Sequence, residues 1–165
     1  MGMSGEQAAA AGQGPQPVHV PPRPLFTRTS YLLLIVLGGG AGTLVRFLAG
    51  EAAPAPPGSW PWTTFWINVI GSFILGALLT ALARSGPDLG WRRRVRLGAG
   101  TGVCGGFTTY STFIVEIDTL LHGGWVATAL GYALASVAVG VAAALAGVRL
   151  MRSWPPRRTS PAVAA

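Results

Sequence analysis

Charged side chains are scarce in this sequence: only 17 of its 165 residues, or 10%, are Asp, Glu or Arg. Soluble domains carry charge on about 25% of their residues and spread it over their surfaces, because unpaired charges are almost never buried. Here two long stretches, residues 31–83 and 97–148, hold only four charged side chains between them. This shortage excludes an ordinary soluble domain, and with 50% hydrophobic residues it predicts a membrane protein.

The sequence has one cysteine and no lysine. Cys104 is the only cysteine, so an intrachain disulfide and a cysteine metal cluster are both excluded. All twelve basic side chains other than histidine are arginines, and they flank apolar segments, which favours membrane orientation over nucleic-acid binding. His19 and His122 lie outside the apolar segments with no acid–base pair beside them. An intramembrane enzyme is therefore not predicted.

Four segments are apolar and long enough to cross a bilayer, which takes about 20 residues as a helix. They are residues 31–49, 62–83, 95–121 and 125–150. The pattern predicts an all-α membrane protein with a four-helix transmembrane domain over residues 30–152. Residues 1–29 and 153–165, rich in Pro, Ala and polar residues, are predicted to be disordered tails.

The arginines are distributed unevenly about these spans. Four spans place both termini and the second connection on one side, which then carries eleven of the twelve arginines; the connections on the other side carry none. Arginine accumulates on the cytoplasmic side of membrane proteins. The sequence therefore predicts a multi-pass protein of the cell membrane with both termini in the cytoplasm.

The third segment has an unusual centre. Residues 98–113 combine paired glycines with a run of Thr, Ser and Tyr, a composition that disfavours an uninterrupted helix. A break at membrane depth exposes backbone groups that lipid cannot satisfy, so it must face protein, ions or water. The carbonyls ending one half-helix would favour a cation, and the amides starting the next an anion. The alternative is close helix packing through small residues.

Polar side chains recur every four residues along the second and fourth segments, and therefore lie on one helix face. The second segment carries Thr64, Asn68, Ser72, Gly76 and Thr80, and the fourth carries Thr128, Tyr132, Ser136 and Gly140. A buried Asn amide can donate two hydrogen bonds to an anion, or it can bond a neighbouring helix. For the fourth segment, a packing face of small residues is the alternative.

Few charged side chains lie in or near the predicted spans, so few are available for chemistry. Arg46 is predicted to extend to the interface or to bond a helix terminus. Glu116 and Asp118 either pair with Arg46 or are solvated near the interface. No carboxylate lies within the first, second or fourth span, which argues against a proton-coupled carboxylate relay.

Three strings together resemble a known family. They are residues 39–47 (GGAGTLVRF), 68–73 (NVIGSF) and 105–113 (GGFTTYSTF). In this order they resemble the fluoride-specific ion channels of the CrcB/Fluc family, and the resemblance extends over about residues 31–150. The third string is the most specific of the three.

The resemblance implies a passive channel for fluoride export, built as an antiparallel dimer of four-helix subunits with two pores. It also implies a structural, non-permeating sodium ion (Na+) held by the backbone carbonyls of Gly105 and Thr108. The implied pore-lining residues are Asn68, Ser72, Tyr110, Phe113, Tyr132 and Ser136. Structural roles fall to Arg46, Gly106 and Thr109, which lie in the matching strings.

Three features depart from the family's pattern. Tyr110 stands where the family usually has Phe, and Gly140 stands where it usually has Ser or Thr. The strong arginine asymmetry also predicts one orientation only, so we expect the dimer partner to be an oppositely oriented homologue and not a second copy, although a homodimer remains open. The competing functions are a small four-helix multidrug exporter, which should carry a glutamate in its first span, and a membrane subunit without transport.

Overall fold

The computed structural model describes residues 29–154. Nearly all of the two predicted tails lies outside the described residues, and within 29–154 the regular structure is entirely helical. In chain order the helices are α1 (Thr29–Ala52), α2 (Trp62–Ser85), α3 (Gly90–Val95), a π-helical stretch (Arg96–Cys104), α4 (Gly105–Phe107), α5 (Ser111–His122) and α6 (Val126–Ser153).

Three of the helices are long and apolar enough to cross a membrane. They are α1, α2 and α6, with 24, 24 and 28 residues and a mean hydropathy of 2.0 each. They match the first, second and fourth segments predicted from the sequence. The residues predicted as the third segment are divided among α3, the π-helical stretch, α4 and α5, which follow one another over residues 90–122.

Glycines with positive φ shape two of the connections. Gly86, directly after α2, has a φ of 130°, and Gly124, between α5 and α6, has a φ of 82°. Side chains with a Cβ disfavour this region of backbone space, whereas glycine adopts it freely. The α5–α6 turn is further closed by the Trp125 amide, which donates to Leu120 O at 2.9 Å.

Backbone-to-backbone contact through glycine holds the helices together in two places. A Cβ on Gly38 or Gly42 of α1 would collide with a carbonyl oxygen of the π-helical stretch. A Cβ on Gly76 of α2 would collide with Ala144 O of α6, and one on Gly147 of α6 with Phe73 O. Small residues permit this close approach in membranes, where dispersion forces replace the hydrophobic effect. Within residues 98–113, for which such packing was the alternative, a Cβ on Gly106 would likewise collide with Gly39 O of α1, so close packing through small residues is confirmed at that position.

The buried core lies toward one end of the bundle, where α2, α5 and α6 meet. Its members are Phe65, Val69, Phe113, Leu120, Ala129 and Tyr132. Elsewhere the apolar side chains are largely exposed: only 6% of the apolar window of α1 is buried. An apolar surface of this kind suits lipid or a second subunit as its surroundings.

Candidate pore and ion site

The helical ladder is interrupted between α4 and α5. Thr108 is extended, with φ −76° and ψ 155°, and regular helix resumes at Ser111. Just before this point, the nine residues of the π-helical stretch run from Arg96 to Cys104. Such π-helical turns are rare and concentrate at functional sites. The sequence reasoning gave no indication of the π-helical geometry.

Two amides at the interruption bond outside the ladder. The Thr109 amide donates to Asn68 Oδ1 at 2.8 Å, and Asn68 Nδ2 donates back to Thr109 O at 2.9 Å. The Thr112 amide donates to Thr109 Oγ1 at 3.1 Å. In a continuous helix these amides would bond Gly105 O and Thr108 O. The side chains of Asn68 and Thr109 thus take the donors that would otherwise occupy those two carbonyls.

The next carbonyl, Gly106 O, has partners from α1. It accepts from Arg46 Nε at 3.2 Å and from Thr43 Oγ1 at 3.4 Å. Arg46 Nη1 also lies 3.4 Å from Thr112 Oγ1, across the interruption. Of the two roles predicted for Arg46, bonding a helix terminus is the one that the structure shows.

Gly105 and Thr108 are placed differently from Gly106. Gly105 is exposed, and a Cβ built on it would meet no atom within 4 Å. The Thr108 side chain is fixed, because its Oγ1 donates to Cys104 O at 2.9 Å and its methyl group packs on Gly71. Carbonyl oxygens released from a helix at its C-terminal end carry partial negative charge and are suitable ligands for a hard cation.

A groove of about 310 Å³ runs along the interruption. Its lining residues are Asn68, Gly71, Ser72, Leu75, Thr108, Thr109, Tyr110, Phe113, Ser136 and Val137. Five of the six residues predicted to line a pore are among them, and none of the ten is charged. Tyr110 is 76% exposed whereas Phe113 is 8% exposed, and their ring centroids are 6.2 Å apart.

The groove holds hydrogen-bond donors that have no acceptor in the described part of the chain. Ser136 Oγ is buried and has no partner among the described residues. The Asn68 amide nitrogen carries two hydrogens, and its one recorded acceptor is Thr109 O. A Cβ on Gly140 would lie 3.8 Å from Ser72 Oγ, so the Ser72 hydroxyl stands beside the position where α6 lacks a side chain.

Tyr132 lies behind the groove. It has no exposed surface, and its hydroxyl donates to Glu116 Oε2 at 2.6 Å. The other carboxylate oxygen, Glu116 Oε1, accepts from Thr64 Oγ1 at 2.6 Å. Tyr132 is therefore linked to a carboxylate and is not among the groove-lining residues, and its predicted pore-lining role stays a prediction.

The sequence reasoning missed this cluster of Thr64, Glu116 and Tyr132. The available signal was a glutamate inside an apolar run with polar residues at helical spacing on two other segments. A second cavity, of about 220 Å³, is bordered by Glu116, Thr64 and Arg46. Because Thr109 borders both cavities, the interruption separates the groove from this second space.

The proposed pairing of Arg46 with a carboxylate of α5 is wrong. Within residues 29–154, neither Glu116 nor Asp118 lies within ion-pair distance of Arg46. Glu116 is held by two hydroxyl groups instead. Asp118 is exposed and lies 3.3 Å from His122 Nδ1, one helical turn away, so the solvated alternative is confirmed for Asp118.

Comparison with known proteins gives consistent matches. Residues 33–148 match the family model described as CrcB-like protein, Camphor Resistance (CrcB). The chain is 50% identical over 127 residues, 77% of its own length and 87% of the relative's, to "Fluoride-specific ion channel FluC 2" of Leifsonia xyli subsp. xyli. It is 46% identical over 134 residues, 81% of its length and 88% of the relative's, to "Fluoride-specific ion channel FluC 2" of Nocardia farcinica. It is 42% identical over 127 residues, 77% of its length and 89% of the relative's, to "Fluoride-specific ion channel FluC 1" of Cutibacterium acnes.

Long apolar helices around an uncharged, hydroxyl-lined groove define a multi-pass membrane protein. The match over residues 33–148 identifies the chain as a member of the CrcB-like family.

Proposed function

We propose that this protein is a fluoride-specific ion channel that lets cytoplasmic fluoride leave the cell passively and so lowers its toxicity. The observation that carries the proposal is the groove beside the interruption, which combines free donors with aromatic rings and contains no charged side chain. The names of the relatives, all fluoride-specific ion channels, support the same conclusion.

The chemistry of the groove suits a small and strongly hydrated anion. A pore must replace the water around such an ion at each step with donors of its own. Ser136 and Asn68 offer an O–H and an N–H, and Phe113 and Tyr110 offer aromatic edges of positive partial charge. A fixed cation would hold fluoride too tightly, whereas several neutral contacts allow it to move on.

Passive export needs no energy source beyond the membrane potential. A potential of 100 mV, negative inside, is worth about 2.3 kcal/mol for one charge, which corresponds to a roughly 50-fold outward bias for an anion. Fluoride enters acid-exposed cells as neutral HF and dissociates in the cytoplasm, so a channel suffices to remove it. We therefore propose that the protein is a channel and not an enzyme.

The proposed architecture has four membrane spans. The third is formed by residues 90–122, in which α3, the π-helical stretch and α4 lead to the interruption and α5 continues beyond it. The interruption then falls within the membrane, and the arginine distribution places both termini in the cytoplasm.

A dimer would cover the backbone exposed at the interruption. Gly105 and Gly40 have open space beside them, and Tyr110 is 76% exposed. Lipid cannot satisfy free carbonyl groups, so this face of the subunit needs a polar partner. An antiparallel dimer brings two such interruptions together and shields them from lipid, and a cation between them would satisfy the carbonyl groups.

A structural sodium ion fits the same face. The residues proposed to hold it are Gly105 and Thr108, whose carbonyls have lost their helical donors to Asn68 and Thr109. Oxygen atoms are the ligands preferred by hard cations. When bound, the ion would supply positive charge between the subunits and stabilise their association.

The second subunit is proposed to be an oppositely oriented homologue. Eleven arginines on one side give this chain one strongly preferred orientation, whereas an antiparallel homodimer needs both. The numbers 1 and 2 in the relatives' names are consistent with organisms that carry more than one such chain.

Fluoride efflux from vesicles loaded with potassium fluoride, and containing this chain co-purified with an oppositely oriented homologue, tests the channel proposal, with chloride-loaded vesicles for selectivity. Ser136→Ala is the informative variant, because it removes an unpartnered buried hydroxyl and therefore leaves folding intact. A lost donor to an ion is worth about 1.5–3 kcal/mol, so we expect fluoride flux to fall about tenfold or more. The matched control is Ser153→Ala, at the end of the same helix, where Oγ bonds Leu150 O. Equal flux in the two variants would contradict the proposal.

Labelling of Cys104 cannot report orientation because the residue is buried, so a cysteine added to either terminus is used in intact cells. We expect labelling from the cytoplasmic side only, and fluoride flux only after co-expression with an oppositely oriented homologue. Labelling from both sides together with strong flux from this chain alone would refute the heterodimer and leave the channel proposal standing.

A further inference from the structure

The ends of α2 and α6 and the start of α3 meet in one basic surface. Arg84 Nη2 donates to Trp154 O at 3.0 Å, which joins the ends of α2 and α6. Arg92 Nε donates to Ser85 Oγ at 2.9 Å, which joins α3 to the end of α2. We call this surface the basic end. Its arginines are Arg84, Arg92, Arg93, Arg94, Arg96, Arg149 and Arg152.

One carboxylate opposes this charge. Asp88 lies 2.7 Å from Arg96 Nη2 and 3.6 Å from Arg93 Nε. The hydrogen bond from Arg96 holds the pKa of Asp88 below its ordinary value, so Asp88 stays ionised at neutral pH. Asp88 is the one acidic residue in the described part of the basic end, and a large positive excess remains.

Three arginines of the basic end are exposed and have no recorded partner among residues 29–154. They are Arg94, Arg149 and Arg152. An exposed guanidinium group presents several N–H donors in a planar fork that matches the oxygens of a phosphate. These three side chains are therefore available to an anionic ligand from outside the subunit.

Large apolar side chains stand among the arginines. Trp91 is 58% exposed, Leu89 58% and Trp154 65%, and the guanidinium carbon of Arg92 lies 5.3 Å from the centroid of a Trp91 ring. Exposed indole rings contribute little to the binding of a free, soluble anion. Tryptophan beside arginine is instead typical of the level in a bilayer where headgroups meet acyl chains.

We propose that the basic end binds the headgroups of anionic phospholipids, with Arg94, Arg149 and Arg152 contacting lipid phosphate and Trp91 and Trp154 lying at the base of the headgroups. The charge complementarity and the apolar groups beside it favour a lipid over a soluble anion. This binding is independent of fluoride permeation, because the basic end shares no residue with the groove.

Lipid retention by the purified full chain in detergent tests this proposal by native mass spectrometry, during titration with phosphatidylglycerol or phosphatidylcholine. We expect phosphatidylglycerol to bind at least tenfold more tightly. An arginine near an anionic surface strengthens binding about fivefold, so Arg94→Gln, Arg149→Gln and Arg152→Gln should each weaken binding by that factor. Higher ionic strength should weaken it further.

A pair of variants with identical charge change provides the control. Asp88→Asn releases Arg93 and Arg96 and should tighten binding, whereas Asp118→Asn, at an exposed position of α5, should leave it unchanged. Equal affinity for the two lipids, no effect of the arginine variants, or displacement of lipid by millimolar inorganic phosphate would overturn the proposal. None of these results depends on fluoride flux, so failure of the lipid-binding proposal can be distinguished from failure of the channel proposal.

Discussion

The side chain of Asn68 is predicted to keep the interruption open. It exchanges two hydrogen bonds with the backbone of Thr109, at 2.9 Å and 2.8 Å. Asn68→Ala removes both bonds and leaves the Thr109 amide and carbonyl without partners. The Thr109 amide is then free to donate to Gly105 O, four residues earlier, as it would in a continuous helix.

The magnitude follows from the two bonds. Each hydrogen bond contributes about 0.5–1.5 kcal/mol, and a buried backbone group left unsatisfied costs about 1–3 kcal/mol. If the Thr109 amide regains a partner at Gly105 O and its carbonyl does not, the net loss of unfolding free energy is about 1–3 kcal/mol. Asn68→Asp keeps the acceptor for the Thr109 amide but also leaves the Thr109 carbonyl without a donor, so it should lose at least as much while leaving Gly105 O free.

The assay measures sodium-dependent stability beside fluoride flux, both on this chain co-purified with its oppositely oriented partner. Thermal unfolding of the purified protein is followed in sodium chloride and in N-methylglucamine chloride. We expect sodium to raise the midpoint of the parent, as any ligand that binds the folded state does. In Asn68→Ala this gain should be lost, because Gly105 O is again occupied, and fluoride flux should be lost with it.

The control is Thr80→Ala, on the same helix and outside the groove, which should keep both the sodium effect and the flux. The reasoning is refuted if Asn68→Ala unfolds like the parent and gains as much from sodium. It is also refuted if Thr80→Ala loses the sodium effect to the same extent.

Three further predictions concern packing, the buried carboxylate and pH. Gly38→Ala should destabilise the protein by about 1–3 kcal/mol, because its Cβ meets the backbone of the π-helical stretch, whereas Gly40→Ala, with open space beside it, should leave the monomer's unfolding midpoint unchanged; equal effects would contradict the packing described. Tyr132→Phe removes one of two donors to Glu116 and should lower unfolding free energy by about 1.5–3 kcal/mol; the loss should vanish in a Glu116→Ala background, which has no acceptor, measured by the same denaturation, and additive losses would refute the link. Asp88 has a lowered pKa in the folded state, so its stabilising contribution, less than about 1 kcal/mol for an exposed pair, is present at neutral pH and lost as the pH falls below about 4; a difference between parent and Asp88→Asn that persists at pH 2 would contradict it.

Much of the fold follows from composition and spacing. Long apolar segments can bury their backbone polar groups in lipid only as helices, so the three long helices lie within a few residues of the predicted spans. The glycine and threonine run at residues 98–113 cannot support a regular helix well, and the interruption falls within it. Residues that face one groove could be grouped because they recur at helical spacing, as Asn68 and Ser72 do.

Other features could not be read from spacing. No pattern local to Arg96–Cys104 indicated its π-helical geometry or its close contact with α1. Asn68 was predicted to donate to an anion or to another helix. In the structure, Asn68 Oδ1 accepts from the Thr109 amide, and one hydrogen of Asn68 Nδ2 is donated to Thr109 O. The second hydrogen of Nδ2 remains available to the groove.

The sequence by itself determined that this protein lies in a membrane, because charged side chains are excluded from lipid whatever their position in the chain. The distribution of its arginines predicts which side faces the cytoplasm. Only the tertiary structure decided which polar groups form hydrogen bonds with one another and which remain available. It joins Glu116 to Tyr132 instead of to Arg46, and within residues 29–154 it leaves Ser136 Oγ without a partner. The physical reason is that hydrogen bonds between helices require atoms within about 3 Å, and only the packing of the helices on one another sets that distance.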